Sequence, residues 1–394
     1  MADYYTFRRS VVEARGHRVT IVGKPGVWSW DALDPGTAAL LEVAEIGPGD
    51  DVLDLGCGTG VIGAVASVLA SQGCVKLVDC NVAATACAER TLAANGIANA
   101  EVLLADGAKG LAPTSFDLVL SHLPRGRAVQ EELIQGAAWV LRPGGRFYLV
   151  AHKRAGIKNA ITATCALFGQ CGVVRQKKGY HVALAVKPAD LQLSPPTDDY
   201  VTGTVTLDSV ATTLVSKPGV FAWDRLDEGT AKLVDAMEID ARDHVLDLGC
   251  GTGLAGLAAA RRTSNGRVVL VDADLRAVES ARRTLAANGI VNGEVLLSDC
   301  ALAVLDRRSG AHRCNVVITN PPFHQGVGVD CEVAHQFVRD AARVLACGGR
   351  LFLVANRFLR YGDLVREVFG NVATAYADNR YHVLTAVARK PSSG

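Results

Sequence analysis

The residues best suited to hold a ligand are three aspartates, each at the end of a short apolar run. The first, Asp247, lies in "VLDLGCGTG" and is followed by Gly249, Gly251 and Gly253. Glycines at such a turn let the backbone approach a ligand that a Cβ atom would block. A carboxylate beside the turn repels a pyrophosphate group but suits a cationic amino-acid group.

The other two aspartates extend this pattern to a nucleoside. Asp272 lies 25 residues after Asp247 at the end of "RVVLVD", where it could accept hydrogen bonds from both hydroxyls of a ribose. Asp299 ends "LLSD", where it could accept from an adenine amino group. Three acids at successive strand ends fit S-adenosylmethionine better than a dinucleotide; the alternative is a glycine-rich turn without a ligand. The candidate cofactor-binding residues are Asp247, Gly249, Cys250, Gly251, Gly253, Asp272, Ala273, Asp299, Cys300 and Asn320.

A second chemical motif is "NPPF", Asn320 to Phe323, which follows the apolar run "VVIT". The nitrogen of a planar amine is a poor nucleophile, because its lone pair is delocalised. The oxygen of Asn320 and the carbonyl of Pro321 could both accept hydrogen bonds from one NH₂ group and orient it toward a sulfonium methyl group. Pro322 would stiffen the loop, and Phe323 offers a face on which a base can stack.

These four residues are therefore the candidate catalytic residues, and a proline-rich turn capped by asparagine is the alternative. The motif narrows the substrate to an amide or aromatic amine: adenine N6, guanine N2, cytosine N4 or a glutamine side chain.

Short apolar runs alternate with helical patterns around these motifs. "HVLDLG", "RVVLVDAD", "EVLLSD", "CNVVITN" and "GRLFLVAN" are typical of buried strands, and "LAGLAAARRTS" and "LRAVESARRTLAANG" of helices. Continuous apolar strands that alternate with helices predict a mostly parallel sheet covered on both faces. "RYHVLTAVARK" predicts a last, antiparallel strand. The expected fold is an α/β, doubly wound, Rossmann-like domain.

The whole unit occurs twice. "KPGVWSWDALDPGTAAL", from Lys24, recurs as "KPGVFAWDRLDEGTAKL", from Lys217, with 12 of 17 positions identical. "VLDLGCGTG" and "RTLAANGI" also recur at the same offset of 193 residues. The stretch "KPADLQLSPPTDDYVTG" between the copies has the composition of a linker. We expect two tandem domains, 1–194 and 195–394.

The two copies share the cofactor motifs but differ at the catalytic one. A possible second cofactor site in the first copy comprises Asp54, Gly56, Gly58, Gly60, Asp79 and Asp106. In place of "NPPF", however, the first copy reads His122, Leu123, Pro124 and Arg125. An imidazole presents at most one acceptor, and only when it is neutral. Transfer to a planar amine by the first copy is therefore not expected.

Charge is unevenly distributed along a nearly neutral chain of net charge +1. Residues 118–189 contain 11 Lys and Arg against two Glu, a net charge of +9, whereas residues 316–394 have nine against six, or +3. Clustered cations bind phosphates without sequence preference, whereas ordinary surface charge mixes both signs. The candidate RNA-binding residues are Arg125, Arg127, Lys153, Arg154, Lys158, Arg175, Lys177 and Lys178.

Each half resembles a class I S-adenosylmethionine-dependent methyltransferase. "NPPFHQG", "GGRLFLVANRFLRYGDLVREVFG" and the preceding "KPGVFAWDRLDEGT" together resemble the bacterial ribosomal RNA guanine-N2 methyltransferases. That family has two fused methyltransferase domains, with catalysis in the C-terminal one. The resemblance covers nearly the whole chain and implies methylation of a guanine in rRNA, with 16S rRNA of the 30S subunit favoured over 23S rRNA of the 50S subunit. The intact glycine motif of the first copy departs from the family's usual pattern.

Composition bounds the remaining possibilities. The 11 cysteines form no Cys-x-x-Cys pair or metal-ligand spacing, so no metal site is expected. Cys87, Cys165 and Cys314 lie in apolar runs, which predicts buried free thiols and a reducing compartment. The chain shows neither a signal-peptide pattern nor an apolar run near the roughly 18 residues of a membrane span. We expect a cytoplasmic monomer without membrane contact.

Three other functions are kept as alternatives. A protein glutamine N5-methyltransferase would share the fold and the cofactor, although that family favours a Tyr after the two prolines and lacks a tandem copy. A DNA adenine-N6 enzyme would need a target-recognition domain, and none is visible. The non-enzymatic alternative is an RNA-binding assembly factor with a vestigial site, which the intact Asn320 and the three aspartates argue against.

Overall fold

The computed structural model describes residues 4–306, 314–322 and 328–389, with only the backbone described for 328–331. The chain divides into two compact units, Met1–Asp198 (the first domain) and Asp199–Gly394 (the second domain), so the division falls a few residues beyond the boundary expected from the sequence. No helix in the described part of the chain is long and apolar enough to cross a membrane.

The first domain alternates strands with helices. Its strands are β1 (Arg8–Ala14), β2 (His17–Gly23), β3 (Val52–Leu55), β4 (Val75–Asp79), β5 (Ala100–Leu104), β6 (Phe116–His122), β7 (Leu141–His152), β8 (Cys171–Lys177) and β9 (Tyr180–Val186). Its helices are α1 (Pro35–Val43), α2 (Val61–Leu69), α3 (Val82–Ala94), α4 (Arg127–Val140) and α5 (Ile157–Phe168), with a 3-10 turn at Lys153–Ala155.

The second domain repeats this order. Its strands are β10 (Val201–Leu207), β11 (Val210–Ser216), β12 (His244–Leu248), β13 (Arg267–Asp272), β14 (Gly293–Leu297), β15 (Cys314–Thr319), β16 (Leu345–Asn356), β17 (Ala373–Ala377) and β18 (Tyr381–Val387). Its helices are α6 (Glu228–Ala236), α7 (Leu254–Arg262), α8 (Leu275–Ala287), α9 (Leu302–Leu305), α10 (Gly328–Val344) and α11 (Tyr361–Phe369).

Each domain has one large mixed sheet. Among the described residues, the strand orders are β5-β4-β3-β6-β7-β9-β8 and β14-β13-β12-β15-β16-β18-β17. The first five strands of each order are parallel, and the last two run antiparallel to their neighbours. The predicted tandem Rossmann-like fold and its antiparallel last strand are thus confirmed. We call the side of each sheet at which the parallel strands end its carboxyl edge.

Three features differ from the sequence-based description. An antiparallel hairpin opens each domain, β1–β2 and β10–β11, and β10 begins at Val201 inside the predicted linker. The antiparallel part of each sheet has two strands, not one. Cys87 and Cys314 are buried thiols outside any disulfide, as predicted, but Cys165 is partly exposed. Alternating hairpin strands carry weaker apolar periodicity than the central strands, which explains why the hairpins were not predicted.

The central strands form the cores because both of their faces are covered. All four residues of β3 are buried, and so are the last four of β12. Each buried Leu or Val side chain stabilises the fold by about 1.5–3 kcal/mol. Two capping aspartates fix the helices that precede these strands: Asp34 accepts hydrogen bonds from the backbone of Gly36 and Thr37, and Asp227 from Thr230.

Candidate functional site

Asp247 is the most deeply buried of the predicted cofactor residues. Its side chain is 2% exposed, and Oδ2 accepts a hydrogen bond of 2.8 Å from the backbone N–H of Gly256 in the first turn of α7. Burial raises the pKa of Asp247 to about 7. The site therefore favours a cationic partner, such as an ammonium group, that would compensate the buried carboxylate.

Asp272 ties the glycine-rich turn to the next strand. It ends β13, and its two carboxylate oxygens accept hydrogen bonds from the backbone N–H groups of Gly251 (2.9 Å) and Asp274 (3.0 Å). Burial raises the pKa of Asp272 to about 6. Gly251 has a φ of +53°, and no atom lies within 4 Å of the place a Cβ would occupy. The open space beside Gly251 fits a ligand that contacts the backbone there.

The other predicted cofactor residues surround this turn. Asp299 lies partly exposed two residues after β14, and Cys300 after it is buried with a φ of +49°. Ala273 joins Asp272 to Asp274, the cap of α8. Its backbone N–H offsets part of the increase that burial causes in the pKa of Asp272. Burial raises the pKa of Cys250 well above its usual value, so this thiol is not ionised. The carboxyl edge of the second sheet thus collects the predicted set.

Asn320, the first residue after β15, is held by a network that the sequence did not predict. Its Nδ2 donates to Asp227 Oδ2 at 3.1 Å and to Thr230 Oγ1 at 3.0 Å. A carboxylate can only accept, so the amide must turn its NH₂ toward Asp227. The oxygen Oδ1 of Asn320 has no hydrogen-bond donor in the described part of the chain and can accept a hydrogen bond from another group.

Asp227 and Thr230 lie 93 and 90 residues before Asn320, and sequence spacing alone did not connect them to it. The signal that could have found them is the repeated "LDPGT" and "LDEGT", in which both copies retain the Asp and the Thr. Because Asp227 also caps α6, one carboxylate fixes both the helix and Asn320, the candidate catalytic residue.

The prolines explain how the chain leaves the sheet after Asn320. Pro321 has no N–H, so it cannot continue the hydrogen-bonded ladder to β16. Pro321 is buried and Pro322 is partly exposed. At the equivalent place in the first domain, Leu123 donates its N–H to Val150 of β7 at 2.8 Å and keeps that segment on the sheet. The predicted stacking residue Phe323 lies outside the described residues.

The first domain reproduces the cofactor side of this arrangement. Asp54 Oδ2 accepts from the N–H of Gly63 at 2.8 Å, and burial raises the pKa of Asp54 to about 7. Asp79 accepts from the N–H groups of Gly58 (2.9 Å) and Asn81 (2.9 Å). Gly56, Gly58 and Gly60 all have positive φ, as in the second domain. The two turns are matched hydrogen bond by hydrogen bond.

Asp106, the third acid of the first domain, lies beside a lysine whose equivalent in the second domain is a leucine. Lys109 Nζ lies 3.0 Å from Asp106 Oδ2 and 3.5 Å from Asp198 Oδ1. The residue equivalent to Lys109 in the second domain is Leu302, an exposed apolar side chain. The end of the first pocket that would receive an adenine is therefore more cationic.

His122 takes the place of Asn320 in the first domain and lies against the same two side-chain types. Its Nδ1 lies 3.1 Å from Thr37 Oγ1 and 3.4 Å from Asp34 Oδ1. Tyr180 donates its hydroxyl to the other oxygen of Asp34 at 3.0 Å. Burial lowers the pKa of His122, against the opposing effect of Asp34, and thus favours the neutral imidazole.

The structure divides the predicted RNA-binding residues into two groups. Arg175 and Lys177 both form ion pairs with Glu42, and Arg127 pairs with Glu131 at 2.7 Å. The hydrogen bond from Lys177 makes the largest contribution to the lowered pKa of Glu42. The positive charge of these three residues is partly neutralised, so they are weaker candidates than the sequence suggested.

The other five cations form no ion pair within the described residues; they are Arg125, Lys153, Arg154, Lys158 and Lys178, all exposed. Gln130 connects the segment that contains Arg125 to the segment that contains Lys153 and Arg154. Its Nε2 donates to the carbonyl oxygen of Pro124 at 2.6 Å and to that of Ala155 at 2.8 Å. Lys178 joins them, because Lys153 N–H donates to Gly179 O at 2.8 Å. Arg125, Lys153, Arg154 and Lys178 therefore share the carboxyl edge of the first sheet, and we call these four the basic edge.

Among the described residues, no group of three or more His, Cys, Asp or Glu side chains is arranged so that it could hold a metal ion. The functional groups described at each carboxyl edge are aspartate carboxylates, backbone N–H groups and one anchored side chain, which is Asn320 in the second domain and His122 in the first.

Comparison with known proteins agrees with the duplicated architecture. The family described as methyltransferase small domain matches residues 18–184 and again 211–385. The ribosomal RNA small subunit methyltransferase C of Pseudomonas paraeruginosa is 36% identical over 281 residues, which cover 70% of this chain and 80% of that protein. The protein of the same name from Hahella chejuensis is 35% identical over 279 residues, or 70% and 79% of the two chains.

A solved structure matches the chain over nearly its whole length. The 16S rRNA N2 G1207 methyltransferase of T. thermophilus, solved with AdoMet and guanosine, superposes with a TM-score of 0.82 at 32% sequence identity. The match covers 97% of this chain and 98% of the T. thermophilus chain. Both domains therefore have counterparts in that protein.

Proposed function

This chain belongs to the methyltransferase small domain family and, within it, to the relatives of ribosomal RNA small subunit methyltransferase C, and we propose from this premise that it methylates N2 of a guanine in 16S rRNA. The guanine would correspond to G1207, the base named for the T. thermophilus enzyme. The methyl donor is S-adenosylmethionine, and the second domain carries the reaction.

The observation that carries this proposal is the anchored amide of Asn320. Asp227 and Thr230 take both of the bonds that its NH₂ donates, so Oδ1 points away from them and is available as an acceptor. An exocyclic amine of guanine is a donor with two hydrogens. An acceptor that is fixed at one end and free at the other fits that donor.

The residues after β15 would orient the amine and stabilise its developing charge. Asn320 Oδ1 and the carbonyl of Pro321 would each accept one hydrogen from N2, which aligns the nitrogen lone pair for attack. As the bond from N2 to the methyl carbon formed, the bond from that carbon to the sulfonium sulfur would break and leave its electron pair on a neutral thioether. N2 would become more positive, and each of the two hydrogen bonds would become charge-assisted and contribute about 1.5–3 kcal/mol. N2 then loses one proton to solvent, so no strong base is required.

The cofactor side follows from the three aspartates. Bound S-adenosylmethionine supplies an electrophilic methyl group on a sulfonium sulfur. Asp247 would face its ammonium group, Asp272 the ribose hydroxyls, and Asp299 the adenine amino group. The open space beside Gly251 supports this arrangement, because the backbone there can contact a ligand without a steric clash.

The first domain would serve as a non-catalytic RNA-binding scaffold. The basic edge supports this role, since its four exposed cations have no acidic partner among the described residues. His122 stands in place of Asn320, and Leu123, which is hydrogen-bonded to the sheet, stands in place of Pro321. With the RNA surface and the catalytic residues on one chain, we expect a monomer to suffice.

The alternatives have less support. Relatives named for the small subunit favour 16S rRNA over 23S rRNA, and they favour an RNA substrate over a protein substrate. The anchored Asn320 argues against a non-enzymatic assembly factor. The test is methylation of 30S and 50S particles from a strain that lacks the gene, followed by mapping of the modified base. N2-methylguanine in 16S rRNA is expected; modification of 23S rRNA or protein alone would refute the proposal.

A further inference from the structure

We infer that the first domain contains a second binding site for S-adenosylmethionine, formed by Asp54, Asp79 and Asp106 around the turn Gly56–Gly60. This site goes beyond the proposed function, which assigns cofactor and reaction to the second domain alone. It depends only on the likeness of the two pockets and not on which RNA base is methylated.

The first argument is the state of Asp54. The residue is 0% exposed, and Oδ1 is a buried acceptor without a hydrogen-bond partner among the described residues. Its other oxygen, Oδ2, accepts a hydrogen bond from the N–H of Gly63 in the first turn of α2. The unpaired Oδ1 therefore lies near the turn between β3 and α2. An unsatisfied buried carboxylate is costly unless a donor reaches it. The ammonium group of a bound amino-acid ligand is such a donor.

The second argument is the shape of the turn. No atom lies within 4 Å of a Cβ placed on Gly56 or Gly58, and both have positive φ. Asp79 fixes this conformation by accepting the N–H of Gly58, as Asp272 does for Gly251. A domain that served only as a scaffold has no structural need for a turn with open space on its ligand side.

The third argument concerns the difference between the pockets. Asp106 Oδ2 is engaged by Lys109, whose side chain is 23% exposed, whereas Leu302 stands at the equivalent position beside Asp299. An adenine amino group would have to share Asp106 with this ammonium group. The first site should therefore bind more weakly than the second, and removal of Lys109 should strengthen it.

The test is isothermal titration of the full-length chain with S-adenosylmethionine, in the wild type and in matched variants. Two binding events of different affinity are expected in the wild type. Asp272→Asn should leave the weaker event, and Asp79→Asn should leave the stronger one. Lys109→Leu should tighten the weaker event by about fivefold, and Leu302→Lys should weaken the stronger one by about as much.

One binding event in the wild type that disappears in Asp272→Asn would overturn the inference. Because a substitution could unfold a domain, a second measurement uses only the wild-type chain. Ultraviolet cross-linking of radiolabelled S-adenosylmethionine to the wild-type chain, followed by proteolysis, should label peptides of both domains. Label confined to peptides of the second domain would refute the second site, while transfer to RNA would still support the proposed function.

Discussion

At the carboxyl edge of the first sheet, His122 and Arg154 occupy the places that Asn320 and Phe358 occupy in the second. Phe358 is 60% exposed, two residues after β16, as Arg154 is after β7. Around both edges the supports are the same: a capping aspartate and a threonine hold the side chain that follows the fourth parallel strand. The supporting residues are thus the same in the two copies, whereas the side chains that they hold or that lie beside them differ.

The comparison shows how one support can present two kinds of chemistry. Anchored through Nδ2, Asn320 offers an oxygen with two lone pairs, whereas His122, anchored through Nδ1, offers a single nitrogen lone pair. Exchange of an aromatic ring for a guanidinium at the equivalent of Phe358 replaces a stacking surface with a phosphate-binding one. In the proposed function, the carboxyl edge of the second sheet would receive an exposed base and that of the first sheet an RNA backbone.

The strongest test of this division replaces the two anchored side chains. Asn320→Ala should lower kcat for methyl transfer by about 10³-fold, because the acceptor that orients and stabilises the amine is lost. The matched change His122→Ala should alter kcat by less than about twofold. Cofactor affinity, measured by titration, should persist in both. A comparable loss in the two variants would show that the domains do not differ in the way proposed.

A second test separates the anchor from the acceptor. Thr230→Val removes one of the two acceptors of the Asn320 amide, and Asp227→Asn replaces an acceptor that fixes its orientation. We expect kcat to fall by about 10-fold to 100-fold with little change in KM for RNA, since the acceptor is misplaced rather than absent.

Thr230→Ser should restore most of the activity, because a hydroxyl returns to the same place. Asp34→Asn in the first domain is the control and should leave kcat nearly unchanged. Thermal unfolding must accompany these measurements, because Asp227 also caps α6. If Thr230→Val and Thr230→Ser had equal activity, the hydroxyl would have no positioning role.

The anchor also marks where prediction from sequence ends. The repeat, the parallel strands and the positions of Asp247, Asp272 and Asn320 could all be predicted, because they depend on local pattern. The contact of Asp227 with Asn320 could not, since it joins residues 93 positions apart and depends on how α6 packs beside the sheet. The pairing of Glu42 with Lys177, 135 residues apart, escaped charge counting for the same reason.

A third test concerns the basic edge. Changing Arg125, Lys153, Arg154 and Lys178 to glutamine should weaken binding of 16S rRNA fragments by about tenfold at moderate salt. The slope of log affinity against log salt should decrease in magnitude by about three, because up to four phosphate contacts are lost. Changing Arg175 and Lys177, which already pair with Glu42, should have a smaller effect. Equal effects of the two sets would mean that ion pairing does not select the RNA surface.

The smallest expected effect is one that the two domains should share. Burial raises the pKa of Asp54 and of Asp247 from 3.8 to about 7. Between these values the folded chain binds more protons than the unfolded chain, so each carboxyl lowers the free energy of unfolding as the pH rises from about 4 to about 7. Asp54→Asn and Asp247→Asn should each reduce this dependence, seen as a Tm that falls by a few degrees less between about pH 5 and pH 8. A change in only one variant would show that the two turns, although matched in geometry, differ in their electrostatics.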